Sequence, residues 1–301
     1  MRFSFWPNAS QTWTDILKLS QYAEAVGFDG LWVADHFMPN TEDRVGPTHE
    51  VWTLVSALGA LVPRVRIGPL VLGNTYRHPA VVANMAASAD HVTDGRLVLG
   101  IGAGWQENEH TAYGLDYFTV GGRLRRFEEA CAVIRGLLRE QRSTFDGRFY
   151  QLSDAPLEPK PLQSHLPIMI GGGGEKVTLK IVAKYADEWN IWGTVDTFRH
   201  KNSILNQHME TLGRAASDVG RSVAALVHLS DDAALIKKIN DEPQPRATIA
   251  GDANQLVDIV GAYQDLGLTE LIVPDFHFGT GATREKMDFM ARFIEDVARK
   301  F

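Results

Sequence analysis

Two neighbouring side chains that follow an apolar run have the types needed for acid–base chemistry. Asp35 and His36 come directly after a run that ends at Ala34. Histidine titrates near neutral pH, and a carboxylate can fix which of its ring nitrogens carries the proton. Adjacent residues of a strand point to opposite sides, so the two side chains cannot be assumed to bond each other. The pair is therefore equally compatible with a catalytic and with a purely structural histidine.

A run of four glycines is the second chemical signal. Gly171, Gly172, Gly173 and Gly174 stand between an apolar run and a helical pattern. Unshielded backbone N–H groups at the start of a helix form a site that suits phosphate. A flexible connection is the alternative, although consecutive glycines cost conformational entropy on folding. The run predicts a phosphate-binding turn, with nearby Lys176 or Lys180 adding positive charge.

Other familiar catalytic patterns are missing from the sequence. The glycines at 100, 102 and 104 do not form a dinucleotide fingerprint, because its third glycine would fall at Trp105 or Glu107. We expect these glycines to keep the backbone away from the open end of a barrel of strands, or to leave room for a flat ligand. No H-x-H, H-E-x-x-H or G-x-S-x-G pattern occurs. These missing motifs give no indication of a metal site or of a serine nucleophile. Cys131 falls within a predicted helix as a core residue, so it is not predicted to be a nucleophile.

Composition narrows the class of protein. The chain has 301 residues, of which 45% are hydrophobic and 9% aromatic, and these fractions exclude a disordered chain. A net charge of −7 argues against a nucleic-acid partner. One cysteine excludes a disulfide framework, and no apolar run is long enough for a membrane helix. The first residues show no signal-peptide pattern, so we expect a cytoplasmic protein.

Short apolar runs alternate with amphipathic stretches along the chain. Eight strands are predicted, at residues 3–6, 28–34, 65–72, 97–101, 167–170, 188–191, 223–229 and 271–273. A long helix is predicted at about 123–140, and a polar, turn-rich connection at 143–166. This count predicts a single (β/α)8 barrel domain over residues 1–301, with loop insertions. A doubly wound parallel sheet shares the alternation and stays the alternative.

A weak internal repeat supports the barrel. Residues 25–33 resemble residues 265–273. In each copy a helix ends at a glycine, Gly27 or Gly267, and an apolar strand begins three residues later. This pattern is typical of a left-handed residue that ends a helix. In a barrel, functional residues gather at the carboxyl ends of the strands, where the aspartate–histidine pair and the glycine run are both expected.

Four blocks of sequence stand out: VADHF at 33–37, TYRHP at 75–79, GRLVLGIGAGW at 95–105 and ADEWN at 186–190. Together they resemble the luciferase-like monooxygenase superfamily, and within it the actinobacterial branch of coenzyme F420-dependent oxidoreductases. The blocks fall at strand ends in the expected order. The resemblance implies a (β/α)8 barrel, often a homodimer, that binds a deazaflavin or flavin and a small-molecule substrate.

The resemblance also implies where the cofactor lies. The ring is expected at the barrel mouth over a bulge with a non-prolyl cis peptide, best matched by Leu70-Val71. His36 matches a histidine near the reacting face, and the glycine run matches the phosphate-binding turn. Asp35 and Asn108 match positions that contact the polar edge of the ring. The full set of implied cofactor-binding residues is Asp35, Leu70, Val71, Leu72, Asn74, Gly102, Asn108, Gly171, Gly172, Gly173 and Gly174.

One residue departs from the family pattern. Sugar-phosphate dehydrogenases of this group carry a glutamate where this chain has Trp105. Without that carboxylate, oxidation of a sugar hydroxyl loses its second acid–base group. Trp105, Trp32, Trp192 and Phe37 suggest an aromatic pocket, with core packing as the alternative for some of the tryptophans. Trp105 and His36 are the candidate catalytic residues.

The function expected from the resemblance is hydride transfer between C5 of coenzyme F420 and an organic substrate, with the protein acting as a reductase. An FMN-dependent monooxygenase of the same superfamily is the first alternative. A flavin- or deazaflavin-binding protein without turnover is the second. The identity of the substrate is not predicted, because variable loops shape the pocket.

Overall fold

A closed parallel barrel forms the centre of the computed structural model, which describes residues 1–301. The strands are β1 (Arg2–Trp6), β2 (Gly30–Val33), β3 (Arg66–Pro69), β4 (Leu72–Gly73), β5 (Leu99–Gly102), β6 (Arg142–Asp146), β7 (Gln151–Pro156), β8 (Ile168–Gly171), β9 (Glu188–Trp192), β10 (Gly220–Ala224), β11 (Leu226–Leu229), β12 (Thr248–Gly251) and β13 (Glu270–Pro274). Nine of them form one sheet in the order β3-β2-β1-β13-β10-β9-β8-β5-β4.

Ten helices surround the sheet. They are α1 (Trp13–Val26), α2 (Val51–Leu61), α3 (Pro79–Val92), α4 (Glu107–Tyr113), α5 (Val120–Arg139), α6 (Thr178–Tyr185), α7 (Val195–Thr211), α8 (Ala233–Asp241), α9 (Ala253–Asp265) and α10 (Arg284–Asp296). None of them is both long and apolar enough to cross a membrane. Cys131 on α5 is buried in the core, as predicted, and burial raises the pKa of its thiol.

The (β/α)8 barrel prediction is confirmed, with one strand made of two pieces. β3 and β4 are halves of a single barrel strand, separated by the cis peptide between Leu70 and Val71. This is the position that the family resemblance implied. A bridge between Ile67 and Leu97 closes the circle next to β5. The sheet therefore has eight barrel positions filled by nine strand segments.

Three other features were missed by the sequence prediction. The run at 223–229 is two strands, and β11 pairs with the unpredicted β12 outside the main sheet. The connection at 143–166 contains the antiparallel hairpin β6–β7, whose mostly exposed, polar residues give no apolar run to detect. The insertion after β5 contains α4. The exposed hairpin leaves no buried pattern in the sequence, whereas β11 follows β10 within one apolar run and could not be told apart from it.

The internal repeat corresponds to two equivalent helix ends. Gly27 ends α1 with φ 112° and donates its N–H to the carbonyl of Ala23. Gly267 follows α9 with φ 86° and donates to Gln264. Glycine adopts such positive φ values without the steric cost that a Cβ imposes. These turns lead into strands β2 and β13, which pair with β1 from its two sides.

Charged side chains fill the amino-terminal end of the barrel. Arg66, the first residue of β3, contacts Glu188 at 2.6 Å and Glu270 at 2.9 Å. The indole N–H of Trp32 donates to the same Glu270 at 2.8 Å. Burial raises the pKa of Glu188, and the arginine offsets part of that effect. These side chains close the amino-terminal end of the barrel. The carboxyl ends of the strands form its open face.

Candidate active site

A cavity of about 910 Å³ opens at the carboxyl ends of the barrel strands. Its floor contains Leu70 and Val71. Leu70 belongs to a buried apolar cluster inside the barrel, and Val71 packs against that cluster. A Cβ on Gly102 or Gly171 would come within 2.9 Å or 2.7 Å of Val71. These glycines therefore make room for a protein side chain rather than for a ligand alone.

Most of the predicted site residues line this one cavity. Those that do are Asp35, His36, Leu70, Val71, Leu72, Gly102, Trp105, Gly171, Gly172 and Gly173. The structure thus brings together the two chemical signals of the sequence, the histidine and the glycine turn. The remaining predicted residues, Asn74, Asn108 and Gly174, do not line it.

His36 is held by a carboxylate that the sequence did not indicate. Its Nδ1 lies 3.2 Å from Oε2 of Glu109, a fully buried residue of α4. An ionised Glu109 accepts a hydrogen bond from Nδ1–H, which leaves Nε2 of the neutral ring as a free acceptor. The indole of Trp105 meets the His36 ring edge-on, with centroids 5.4 Å apart. His36 is thus fixed in tautomer and in orientation at the cavity wall.

Glu109 is the centre of a buried set of donors. It also accepts hydrogen bonds from the backbone N–H groups of Phe37 and Met38 and from the hydroxyl of Tyr76. Burial alone would raise the pKa of Glu109, but the bonds from His36 and Tyr76 outweigh it and hold the pKa below its usual range. Glu109 therefore stays a carboxylate at neutral pH. Its acidic neighbours in the first turn of α4 were the available signal, since carboxylates are favoured there.

Asp35 bonds away from its sequence neighbour His36. Its carboxylate accepts two hydrogen bonds from Arg77, at 2.8 and 3.1 Å, and one from the N–H of Gly73 at 2.9 Å. These contacts tie β4, just beyond the bulge, to the end of β2. The caution that the two adjacent side chains need not bond each other is confirmed. Contact of Asp35 with a cofactor ring stays a prediction.

The glycine turn offers free donors, but it does not lead directly into a helix. The helix α6 begins at Thr178, so the expectation that it starts just after Gly174 was wrong. The backbone N–H groups of residues 173–178 donate no hydrogen bond within the chain. Gly173 and Thr178, at the two ends of this segment, both line the cavity. The segment is a cradle of unpaired backbone donors, about one turn long, of the kind that suits an anion.

The lysine at this cradle is not one of those expected. Lys201 of α7 lines the cavity, and a Cβ on Gly173 would lie 3.8 Å from its Cε. Its ammonium pairs with Glu175 at 2.6 Å. Lys176 and Lys180 instead line a separate groove of about 440 Å³ between α5, α6 and α7. Periodicity could not reveal this, because the position of α7 relative to the glycines is set by barrel packing.

Asn74 and Asn108 lie outside the cavity lining. The amide of Asn74 lies 3.4 Å from the hydroxyl of Tyr150, and its backbone N–H donates to Gly102. Asn108 donates its side-chain N–H to the carbonyl of Pro39, while its buried Oδ1 has no donor in the chain. Their contact with a cofactor ring also stays a prediction.

Aromatic side chains line the cavity, although two of the expected ones do not. Trp32 is fully buried inside the barrel, as the core alternative has it, whereas Phe37 is partly buried and packs on Tyr76. The aromatic residues that line the cavity are Trp6, Tyr76, Trp105, Trp192 and Phe276. Sequence reasoning missed Phe276, which follows β13 in a short helical turn.

Two histidines whose rings are in close, tilted contact should make stability depend on pH. The rings of His228 and His277 lie 4.2 Å apart, and neither nitrogen of His277 has a hydrogen-bond partner. Burial, together with the nearby His228 and Lys286, lowers the pKa of His277 to about 3. Between the unfolded value near 6.5 and that folded value, the unfolded chain binds the additional proton. Stability is therefore fully present above the unfolded pKa and falls as the pH falls.

We expect His277→Phe to weaken this pH dependence. The wild type should lose about 2 kcal/mol more of its unfolding free energy than the variant between about pH 7 and about pH 5. Urea denaturation at both pH values measures this difference, with the exposed His91→Gln as the control for losing a histidine. Equal losses in the wild type and in His277→Phe would contradict the prediction.

The chain is similar to known proteins both in sequence and in fold. The family profile described as "Luciferase-like monooxygenase" matches residues 1–242. An F420-dependent glucose-6-phosphate dehydrogenase of Kineococcus radiotolerans is 32% identical, over 91% of this chain and 89% of that protein. The enzyme with the same description from Amycolatopsis mediterranei is 28% identical, over 95% and 94%.

A solved structure shares the fold over nearly the whole chain. It is an F420-dependent secondary alcohol dehydrogenase in complex with an F420–acetone adduct, with a TM-score of 0.83. The alignment covers 98% of each chain at 20% sequence identity. At that identity the likeness demonstrates the common barrel architecture.

Proposed function

This chain belongs to the luciferase-like monooxygenase family, and we propose that it is a coenzyme F420-dependent oxidoreductase that acts as a reductase on a small organic substrate. F420-dependent relatives that align over most of the chain support the cofactor. The observation that carries the proposal is the shared cavity, which joins a row of free backbone donors to a histidine held by a buried carboxylate. The donors that would bind a cofactor phosphate and the histidine that would transfer a proton thus lie in the same cavity.

The residues present fit a deazaflavin with a phosphate-bearing side chain. The free N–H groups of residues 173–178 and Lys201 would hold the phosphate. Leu70, Val71 and Leu72 provide an apolar platform on which a flat ring would lie. When bound, coenzyme F420 supplies a carbon that donates or accepts a hydride. The volume of about 910 Å³ leaves space for a substrate beside it.

His36 is the group in the cavity best placed to move a proton. Its Nδ1 is committed to Glu109, while Nε2 makes no hydrogen bond within the chain. In the imidazolium form, the ring can deliver the proton that must accompany hydride transfer to a carbonyl or an activated double bond. Glu109 then stabilises the positive charge of the ring. Tyr76 stays protonated, since burial and its bond to Glu109 raise its pKa, and it keeps that carboxylate in place.

Trp105 makes oxidation of a sugar phosphate a poor match for this chain. It stands where the resembling sugar-phosphate dehydrogenases carry a glutamate, and the cavity therefore lacks a second carboxylate at that position. Trp105 is 56% exposed, and its indole meets the ring of His36 edge-on. A tryptophan there offers an apolar surface to a substrate and shields the histidine from water. These properties support a reductase acting on a less polar molecule.

We also propose that the protein is a homodimer in the cytoplasm. The homodimer is the assembly that the family resemblance implies. A single buried cysteine suits the reducing cytoplasm. The whole of residues 1–301 would act as one barrel domain in each subunit. Light scattering of the purified protein tests the dimer.

Separate titrations with coenzyme F420 and FMN test the cofactor. We expect the fluorescence of F420 to change on binding, with micromolar affinity, and FMN to bind more weakly. Lys201→Gln should weaken F420 binding about threefold to tenfold, because one charge-assisted contact is lost. Lys180→Gln, in the separate groove, is the matched control and should leave the affinity unchanged. Micromolar binding of FMN without any response to F420 would instead favour the monooxygenase alternative.

A further inference from the structure

A buried tryptophan holds the glycine turn by its backbone. Trp189 of β9 is fully buried, and its indole N–H donates to the carbonyl of Gly172 at 2.9 Å. The backbone N–H of Gly172 donates in turn to the carbonyl of Asn190 at 3.0 Å. The start of the turn is thus fixed to β9 at two points. The function proposed above uses the N–H groups of this turn but gives Trp189 no role.

The bond from Trp189 decides which way the next backbone N–H points. The carbonyl of Gly172 and the N–H of Gly173 belong to one peptide unit, which is planar and trans. In such a unit the C=O and N–H bonds point in opposite directions. Because the carbonyl points to the indole of Trp189, the N–H of Gly173 points away from it. Gly173 lines the cavity, and its N–H has no acceptor within the chain.

A turn made of glycines does not keep this orientation by itself. Gly172 has φ 128°, and glycine adopts positive and negative φ values with similar ease. No side chain of Gly172 or Gly173 therefore hinders rotation of the peptide between them. The rotated peptide would present a carbonyl oxygen to the cavity in place of an N–H, and that oxygen would repel an anion. A donor fixed on the carbonyl of Gly172 opposes this rotation.

The indole of Trp189 is a rigid donor because its ring is packed between elements. It stacks on Phe198 of α7, with ring centroids 6.1 Å apart and 27° between the planes. Phe198 contacts Tyr263 of α9, whose hydroxyl donates to the carbonyl of Gly193, directly after β9. Rotating the peptide would leave the buried indole N–H without an acceptor, which is unfavourable in the interior. The packing of two helices is thus coupled to the orientation of one peptide.

An unpaired acceptor beside the turn gives separate evidence that a polar ligand binds here. Asn190 is 5% exposed and lines the cavity, and its side-chain N–H donates to the hydroxyl of Ser222 at 2.9 Å. That hydroxyl donates to the carbonyl of Trp189, so it can only accept from the amide. The orientation of the amide is therefore fixed, and its Oδ1 has no donor within the chain. A hydroxyl on the chain that joins a ring to its phosphate would supply that donor.

We propose that Trp189 is a positioning residue for the cofactor phosphate, because it holds the peptide between Gly172 and Gly173 with its N–H toward the cavity. This inference rests on the proposed function, which places the phosphate at the glycine turn. Without the indole N–H, the peptide adopts both orientations, and apparent affinity falls with the fraction that is competent to bind. The loss should be confined to ligands that carry the phosphate.

Pairs of ligands that differ by the phosphate test this role. The first pair is F420 and the phosphate-free deazaflavin with the same ring and ribityl chain, and the second is FMN and riboflavin. Fluorescence titration measures the affinity of each. We expect Trp189→Phe to weaken F420 binding about threefold to tenfold and to leave the affinity for the phosphate-free deazaflavin unchanged.

Trp52→Phe is the matched control. Trp52 of α2 is also buried, but its indole N–H has no acceptor in the chain and it does not line the cavity. This variant should bind F420 like the wild type. A tryptophan analogue with sulfur in place of the ring N–H, incorporated at position 189, keeps both rings and serves if Trp189→Phe does not fold. It should reproduce the loss of F420 affinity.

The outcomes separate this inference from the proposed function. Equal weakening of the phosphate-bearing and phosphate-free ligands would show that Trp189 only supports packing, and unchanged affinity for both would show that its bond is dispensable. Either result overturns the inference, as does a wild type that binds neither phosphate-bearing ligand more tightly than its phosphate-free counterpart. If F420 does not bind, but Trp189→Phe weakens the binding of FMN and not of riboflavin, the proposed cofactor is refuted and the role of Trp189 stands.

Discussion

Replacing His36 by alanine is expected to lower kcat about 10²- to 10³-fold while leaving the affinity for F420 nearly unchanged. General acid catalysis by a positioned histidine contributes acceleration of this order. His36 is held by Glu109 at 3.2 Å and makes no other hydrogen bond in the chain, so its removal should not disturb the glycine turn. Single-turnover kinetics with reduced F420 separates the chemical step from binding.

Glu109→Gln tests the positioning part of the same argument. The amide of glutamine brings two donors into a place where every neighbour donates, so the His36 ring loses both its fixed tautomer and its stabilising charge. We expect kcat to fall, because the ring is no longer held in one tautomer and one orientation. The exposed His91→Gln is the control. A kcat within about threefold of the wild type for His36→Ala would refute the assignment of His36 as the acid.

Gly100→Ala is expected to prevent folding or to cost more than about 4 kcal/mol of stability. A Cβ at this position would lie 2.0 Å from the carbonyl oxygen of Pro69 and 3.1 Å from Val71. Gly68 is equally restricted, with the carbonyl oxygen of Val98 at 2.1 Å. The strands β3 and β5 therefore approach each other backbone to backbone, directly below the bulge that forms the cavity floor. Neither strand can retreat, because each also pairs with a strand on its other side.

Gly261→Ala is the matched control for this experiment. Gly261 lies within α9, and the nearest atom to a Cβ there would be 4.0 Å away, on Phe301. Alanine in a helix is favoured over glycine by about 0.5–1 kcal/mol, so this variant should be slightly more stable than the wild type. Urea denaturation compares the two variants. A stable, folded Gly100→Ala protein would show that the contact between β3 and β5 is looser than the structure indicates.

Much of the barrel could be predicted from local patterns. Buried strands appear as apolar runs, and helix ends are marked by residues such as Gly27 and Gly267, whose positive φ values carry a physical cost for other residues. Elements without such marks were missed. The hairpin β6–β7 is exposed, and the shift from β10 to β11 occurs inside one uninterrupted apolar run. Periodicity reports which residues are buried, but not against which strand they lie.

The sequence by itself determined the fold class, the family and the two chemical signals, His36 and the glycine turn, because these depend on residue type and on spacing along the chain. The tertiary structure alone decided their partners. His36 bonds Glu109, 73 residues away, rather than its neighbour Asp35, and Lys201 rather than Lys176 or Lys180 stands at the glycine turn. Such pairings follow from how the eight barrel positions close and where each helix then packs. Closure brings distant residues together, and no local pattern records a contact between elements that are separated by whole strand–helix units.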